Sequence, residues 1–141
     1  MRVADLMKRK PKYLTPHDTA RQAARSMRDE NVGFLPVCDW EHRVIGAVTD
    51  RDLALRLVAE GLDTNVPVVD VMTHEVVACH PDDDLERAEE VMGASRKSRL
   101  VVVDDFGRLA GVLSLSDIAE HDIANAGATI RRVAQREIHG M

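Results

Sequence analysis

Apolar positions along this chain follow two rhythms, one helical and one alternating or continuous, and the same order of rhythms occurs twice. Ala20, Ala23, Ala24 and Met27 recur at the spacing of one helix face, and so do Leu85, Ala88, Val91 and Met92. Each run is followed by a pair of short apolar stretches. Phe34–Cys38 and Val44–Val48 flank the polar turn Asp39-Trp40-Glu41-His42, and Leu100–Val103 and Leu109–Leu113 flank Asp104-Asp105-Phe106-Gly107. Such pairs predict β-hairpins. A second helix is predicted from about Asp50 to Glu60, stopped by Gly61, and its counterpart from about Ser116 to Ala126, stopped by Gly127. Ahead of the first helix in each half, an extended stretch ends at Thr15-Pro16 or His80-Pro81, and Asp18 suits the helix N-cap.

The recurrence is a duplication. Shifted by 65 positions, the chain pairs with itself without a gap: Val3, Asp5 and Met7 fall on Val68, Asp70 and Met72, and Pro16 and Asp18 on Pro81 and Asp83. Leu35, Asp39, Arg43 and Gly46 fall on Leu100, Asp104, Arg108 and Gly111, and Asp52 falls on Asp117. One register held over most of each half is the mark of a repeat. The prediction is an α+β fold of two βαββα repeats, residues 1–62 and 63–127. Neither half has the apolar content for an independent core, so the two are expected to pack sheet to sheet with pseudo-twofold symmetry, Asp63–Pro67 serving as a linker. Residues 128–141 lie outside the repeat and are expected to form a C-terminal helix. Ile130, Val133, Ala134 and Ile138 share one of its faces, with Arg131, Arg132 and Arg136 elsewhere. That helix either docks on the body or a second subunit, or offers arginines to an acidic partner.

Composition narrows the function. Apolar residues make up 45% of the 141 positions and charged residues 30%, an ordinary globular balance, while aromatics are only 3%. The net charge of −5 supplies no excess of cations for nucleic-acid phosphates. The short basic run Lys8, Arg9, Lys10, Lys12 reads as a solvated loop. Runs such as Leu100–Val103 are too short to span a bilayer. With two cysteines, Cys38 and Cys79, and no signal-peptide pattern, a soluble cytoplasmic protein is expected.

The duplicated feature richest in chemistry is Gly46-x-x-Thr49-x-x-Asp52, matched by Gly111-x-x-Ser114-x-x-Asp117, where a strand hands over to a helix. Unpaired amides at such a helix start favour an anion, a hydroxyl adds a hydrogen bond, and a carboxylate one turn in accepts from two donors, as a ribose diol offers. The same spacing also lets the helix cap itself. Both readings stand, with glycine inside a strand marking close approach of another backbone or of a ligand. Arg51 opposes the dipole of the helix it begins, a conflict that a bound phosphate would resolve and that solvent exposure would also tolerate. Pro36 cannot donate to a ladder, which makes its strand an edge or a cavity wall.

These residues resemble the cystathionine-β-synthase (CBS) domain in its usual tandem pair. The resemblance rests on Val3-Ala-Asp-Leu-Met7, Thr15-Pro16, Gly33-Phe-Leu-Pro-Val37 and Gly46-Ala-Val-Thr-Asp-Arg-Asp52, then Val69-Asp-Val-Met72, Arg99-Leu-Val-Val-Val103 and Gly111-Val-Leu-Ser-Leu-Ser-Asp117. It implies a cleft between the copies that binds an adenosine-containing small molecule. Asp52 and Asp117 would hold ribose hydroxyls, with Thr49 and Ser114 near ribose or phosphate. Thr15, Phe34, Leu35 and Pro36 would flank an adenine, with His80, Arg99, Leu100 and Val101 in the matching places. It further implies a homodimer through helix faces near Leu53–Val58 and Ile118–Ile123. The second copy departs from the pattern: Val101 replaces the proline, His80 the threonine, and Leu115-Ser116 replaces Asp50-Arg51. The Asp52 position is accordingly expected to suit a charged ligand better.

No enzyme is expected. The chain has no Walker A loop, no His-Glu-x-x-His and no Gly-x-Ser-x-Gly, and so no catalytic residues and no catalytic cofactor are assigned. Cys38, His74, Cys79 and His80 match no standard zinc spacing, and His17, His42, His121 and His139 read as surface residues. The alternative to a nucleotide sensor is an interaction module that binds no ligand, its Thr/Asp and Ser/Asp pairs serving only as caps and its output passing to an effector protein.

Overall fold

The computed structural model describes residues 1–121 and 130–135. They form two compact units whose membership cuts across the sequence repeats. One unit comprises Val77–Asp105 and the described residues from Ala110 onward, together with Met1–Lys10; the other comprises Pro11–Val76 with Phe106–Leu109. Each unit therefore takes its Val-x-Asp-x-Met segment from the repeat whose hairpin belongs to the other.

In the unit that holds the first hairpin, helix α2 (Ala20–Glu30) begins at Thr19. Thr19 and Gln22 form a capping box, the Thr19 hydroxyl accepting from the Gln22 amide and the Gln22 side chain accepting from the Thr19 amide. This corrects the expected cap at Asp18, whose carboxylate instead accepts from the Thr15 amide at 2.8 Å. Strands β2 (Phe34–Cys38) and β3 (Val44–Thr49) pair antiparallel as predicted. Single bridges extend this hairpin on both flanks, Leu14 beside Val37 and Thr73 beside Ala47. Pro36 thus lies on a strand whose only full ladder partner among the described residues is β3, where its missing donor is tolerated. The second helix is short α3 (Asp50–Asp52) continuing as a π-helix over Leu53–Val58, with the Ala59 amide bonding five residues back to the Ala54 carbonyl. Gly61 ends it at φ +67. Leu14, Ala20, Ala23, Met27, Leu35, Val37, Val48, Leu53 and Leu57 close a core over Val68, Val71 and Met72, the last three from a 3₁₀ turn (Val68–Asp70) and the residues after it.

The other unit repeats this plan. A short helix α1 (Val3–Leu6) leads into β1 (Lys8–Arg9), and β4 (Ala78–Cys79), α4 (Leu85–Ser95), β5 (Arg99–Val103), β6 (Leu109–Ser114) and α5 (Leu115–His121) follow. The sheet order is β1-β6-β5-β4. Lys8 and Arg9 are therefore an exposed edge strand and not the expected loop. They pair with Val112 and Gly111, and the charges on such an edge discourage further strand addition. Val3 and Met7 join Cys79, Leu85, Ala88, Met92, Leu100, Val102, Leu113 and Ile118 in the core. Val133 is buried in the same core, so residues 130–135 form a helical segment docked on the body, although Ile130 and Ala134 are exposed. The predicted continuation of α5 through Ile123 to Ala126, its stop at Gly127, and Arg136, Ile138 and His139 lie outside the described residues.

Backbone conformation repeats even where residues change. Helix α2 ends on Asn31 (φ 54) and α4 on Arg96 (φ 56), while the hairpin turns carry His42 (φ 67) and Gly107 (φ 79). Each pair is 65 positions apart. The left-handed region suits glycine and asparagine and costs other residues about 1 kcal/mol. Held in that conformation, the His42 ring lies edge-on to Tyr13 at 4.7 Å. Leu53 and Leu57 face the core, whereas Leu55, Val58 and Leu62 remain exposed. Of the expected dimer face on the second copy, Ile118 is fully buried and unavailable.

Candidate functional site

At the end of β3, Thr49 is extended and begins α3 as a capping box: its hydroxyl accepts from the Asp52 amide at 3.0 Å, and Asp52 Oδ2 accepts from the Thr49 amide at 3.0 Å. Asp52 is 7% exposed, and burying its charge requires further partners. Thr73 Oγ1 donates toward it, 3.1 Å from each oxygen, and Arg56 Nε lies 3.8 Å from Oδ1 while Arg56 Nη1 donates to the Met72 carbonyl at 2.8 Å. Among the described residues no buried side-chain nitrogen or oxygen lacks a partner.

Thr73 reaches Asp52 because its backbone pairs with Ala47, amide to carbonyl in both directions at 2.8 and 3.0 Å. Gly46 permits that approach. A Cβ at Gly46 would sit 2.8 Å from the Thr73 carbonyl oxygen and 2.7 Å from Met72 Sδ. The strand glycine, open in sequence to either a backbone or a ligand, thus marks a backbone. Gly111 does the same: a Cβ there would lie 2.7 Å from the Lys8 carbonyl oxygen and 2.9 Å from Met7 Sδ.

The second copy builds the same cap with fewer partners. Ser114 Oγ accepts from the Asp117 amide at 3.1 Å, Asp117 Oδ2 accepts from the Ser114 amide at 3.2 Å, and Ser116 Oγ is 3.0 Å from Ser114 Oγ. Asp117 is only half-buried. Lys8 opposite Val112 occupies the place that Thr73 holds opposite Ala47.

The other candidates divide by exposure. Thr15 and His80 are exposed, each with its amide donating to a carboxylate three residues on, Asp18 and Asp83. His80 Nδ1 is 3.9 Å from Asp105. Phe34 is half-buried and Pro36 buried, Leu35 and Leu100 belong to the two cores, Val101 is buried, and Arg99 and Arg51 are exposed. The leucines thus leave only backbone atoms for any ligand. Thr73 and Arg56 were not anticipated. Arg56 was legible as the i,i+4 partner of Asp52, and Thr73 as the residue that replaces Lys8 when the copies are overlaid.

Both thiols are buried and without a disulfide. Burial, helped by the Asp39 charge, pushes Cys38 up to about 11, and burial with Asp83 pushes Cys79 up to about 12, from an ordinary 9.0. Two consequences are expected. Ellman's reagent at pH 8 should label neither thiol until urea unfolds the chain. Because the unfolded thiols ionise first, stability should be complete below pH 9 and decline as pH rises from there toward 11, which Tm against pH reads. Fast labelling of native protein would refute the burial argument. No group of three or more His, Cys, Asp or Glu among the described residues is placed to hold a metal, and no described helix is long and apolar enough to cross a membrane. A surface groove of about 530 Å³ is lined by Glu41, Arg43, Phe106 and Arg108.

A family model for the CBS domain matches residues 3–59 and again 68–124. The CBS domain-containing protein YhcV of Bacillus subtilis is 35% identical over 139 residues, covering 97% of this chain and 98% of that protein. An inosine-5'-monophosphate dehydrogenase of Methanocaldococcus jannaschii is 39% identical over 105 residues, 74% of this chain but only 20% of that enzyme. Among solved structures, a CBS domain protein from Pyrobaculum aerophilum complexed with AMP matches at 28% identity and a TM-score of 0.79, over 96% of this chain and 99% of that one.

Proposed function

The chain belongs to the CBS domain family, and from that premise we propose that it is a cytoplasmic regulatory module that binds an adenosine-containing nucleotide and catalyses no reaction. The observation that carries this reading is the AMP complex of the Pyrobaculum relative, which matches this chain over nearly its whole length. The hydroxyl-x-x-carboxylate pair, present at the same point of both copies, supports it. In this proposal Asp52 and Asp117 accept from ribose hydroxyls, Thr49 and Ser114 stand beside ribose or phosphate, and Arg51 meets a phosphate. Thr15, Phe34, Leu35 and Pro36, with His80, Arg99, Leu100 and Val101 in the second copy, flank an adenine. The match to inosine-5'-monophosphate dehydrogenase covers a fifth of that enzyme, which fits a module that regulates rather than reacts. We further propose a homodimer through the exposed Leu55, Val58 and Leu62, with an effector protein receiving the signal.

A second reading has its own support. Asp52 is already satisfied by Thr49, Thr73 and Arg56, and both pairs are formed as helix caps. A module that binds no ligand needs nothing more from them. Thermal unfolding with AMP, ADP, ATP, S-adenosylmethionine and NAD separates the two. A ligand at 100 times its Kd stabilises by about 2.7 kcal/mol, which for a chain of this length raises Tm by roughly 8 °C. At least one of the five is expected to do so. If none moves Tm, the interaction module is the correct account. Sedimentation velocity on the same samples tests the dimer.

A further inference from the structure

We propose that the Thr73 hydroxyl is an internal occupant of Asp52, which a ribose must displace, so that the Asp117 position takes the nucleotide first. This rests on the nucleotide reading above and reverses the ranking of the two positions drawn from sequence, where Val101, His80 and Leu115-Ser116 in place of the proline, the threonine and Asp50-Arg51 favoured the first.

Thr73 pairs with Ala47, and Lys8 pairs with Val112, so residues 65 apart hold the same place beside their β3 or β6 strand. One copy sets a short hydroxyl there, the other a long amine. The Thr73 hydroxyl stands 3.1 Å from both Asp52 oxygens, the two atoms a vicinal diol would engage together. Asp52 Oδ2 also receives the Thr49 amide, Arg56 lies beside Oδ1, and the residue is 7% exposed. Asp117 differs on each count. It is half-buried, and among the described residues its carboxylate accepts one hydrogen bond, from the Ser114 amide onto Oδ2.

A ribose arriving at Asp117 exchanges water for sugar. A ribose arriving at Asp52 must break a charge-assisted hydrogen bond within the protein, and a bond of that kind is strong enough to weaken binding by about tenfold or more. Occupation of the Asp52 position also releases the side-chain tie on Thr73, and so couples a second ligand to the Val68–Thr73 segment.

The test is calorimetric titration of the 141-residue chain with AMP. The wild type is expected to bind one AMP tightly. Asp117→Ala should remove that tight binding and leave only the weak position. Adding Thr73→Val to Asp117→Ala should tighten the remaining position about tenfold, whereas adding Thr73→Ser, which keeps the hydroxyl, should not. The Ala47–Thr73 backbone pair is untouched by either change, and Tm measured on each variant confirms folding. If Thr73→Val leaves the Asp117→Ala affinity unchanged, or if Asp52→Ala instead of Asp117→Ala removes the tight binding, the role of Thr73 is wrong while the nucleotide reading survives. Absence of AMP binding in every variant, with no Tm shift from ADP, ATP, S-adenosylmethionine or NAD either, overturns both.

Discussion

Gly46→Val is expected to cost at least about 3 kcal/mol and to lower the urea midpoint accordingly. The added Cβ alone would stand 2.7 Å from Met72 Sδ and 2.8 Å from the Thr73 carbonyl oxygen. Methionine is flexible and can retreat. The carbonyl cannot, because it accepts from the Ala47 amide at 3.0 Å and the Thr73 amide donates back at 2.8 Å. Relieving the clash therefore breaks a bridge, frees the Thr73 side chain from Asp52, and leaves buried polar groups without partners. Valine's two further methyl groups add to the crowding. Gly111→Val should behave alike, since Lys8 presents its carbonyl 2.7 Å from the corresponding Cβ. A midpoint within experimental error of wild type in both variants would show that the Val-x-Asp-x-Met segments are not held where they stand.

The second large effect is expected at Asp52. Asp52→Ala removes the acceptor for the Thr49 amide, the partner of the Thr73 hydroxyl and the counterion beside Arg56. Loss of the capping carboxylate is worth about 1 kcal/mol, and a hydrogen bond to a buried charge about 1.5–3, so a combined loss of about 3 kcal/mol is expected in denaturant unfolding. Asp117→Ala, which removes a half-buried carboxylate with one described partner, should cost about 1 kcal/mol. The contrast is the informative quantity. Equal losses would mean that Thr73 and Arg56 contribute nothing to holding Asp52.

Much of this architecture was legible in the residues, for identifiable reasons. The hairpins were, because Phe34–Cys38 and Val44–Thr49 and their copies are apolar runs closed by polar turns, and the side chains that make them apolar are those that fill the cores. The first helix was too, apart from its cap: Asp18 and Thr19 are both good cap residues, and Gln22 decides between them by completing a box with Thr19. Other features left no local trace. Lys8 and Arg9 look like solvated charge, and only the distant Gly111 makes room for them as a strand. Arg96 holds a left-handed cap that no propensity would assign to arginine, and only its alignment with Asn31 betrays it. The Thr49-x-x-Asp52 and Ser114-x-x-Asp117 pairs were legible as such. Their inequality was not, because it comes from residues 21 and 109 positions away, Thr73 and Lys8, brought in by the fold.

The membership of the two units has a consequence for inheritance. In sequence, the duplicated segment is one continuous stretch; in packing, each core is finished by a segment encoded in the other stretch. A cut in the linker between Gly61 and Val68 would orphan Val3 and Met7 from the core they seal, and Val68, Val71 and Met72 from theirs. Two such halves could complete themselves only by meeting again, and the covalent join replaces that search through dilute solution with a partner permanently at hand.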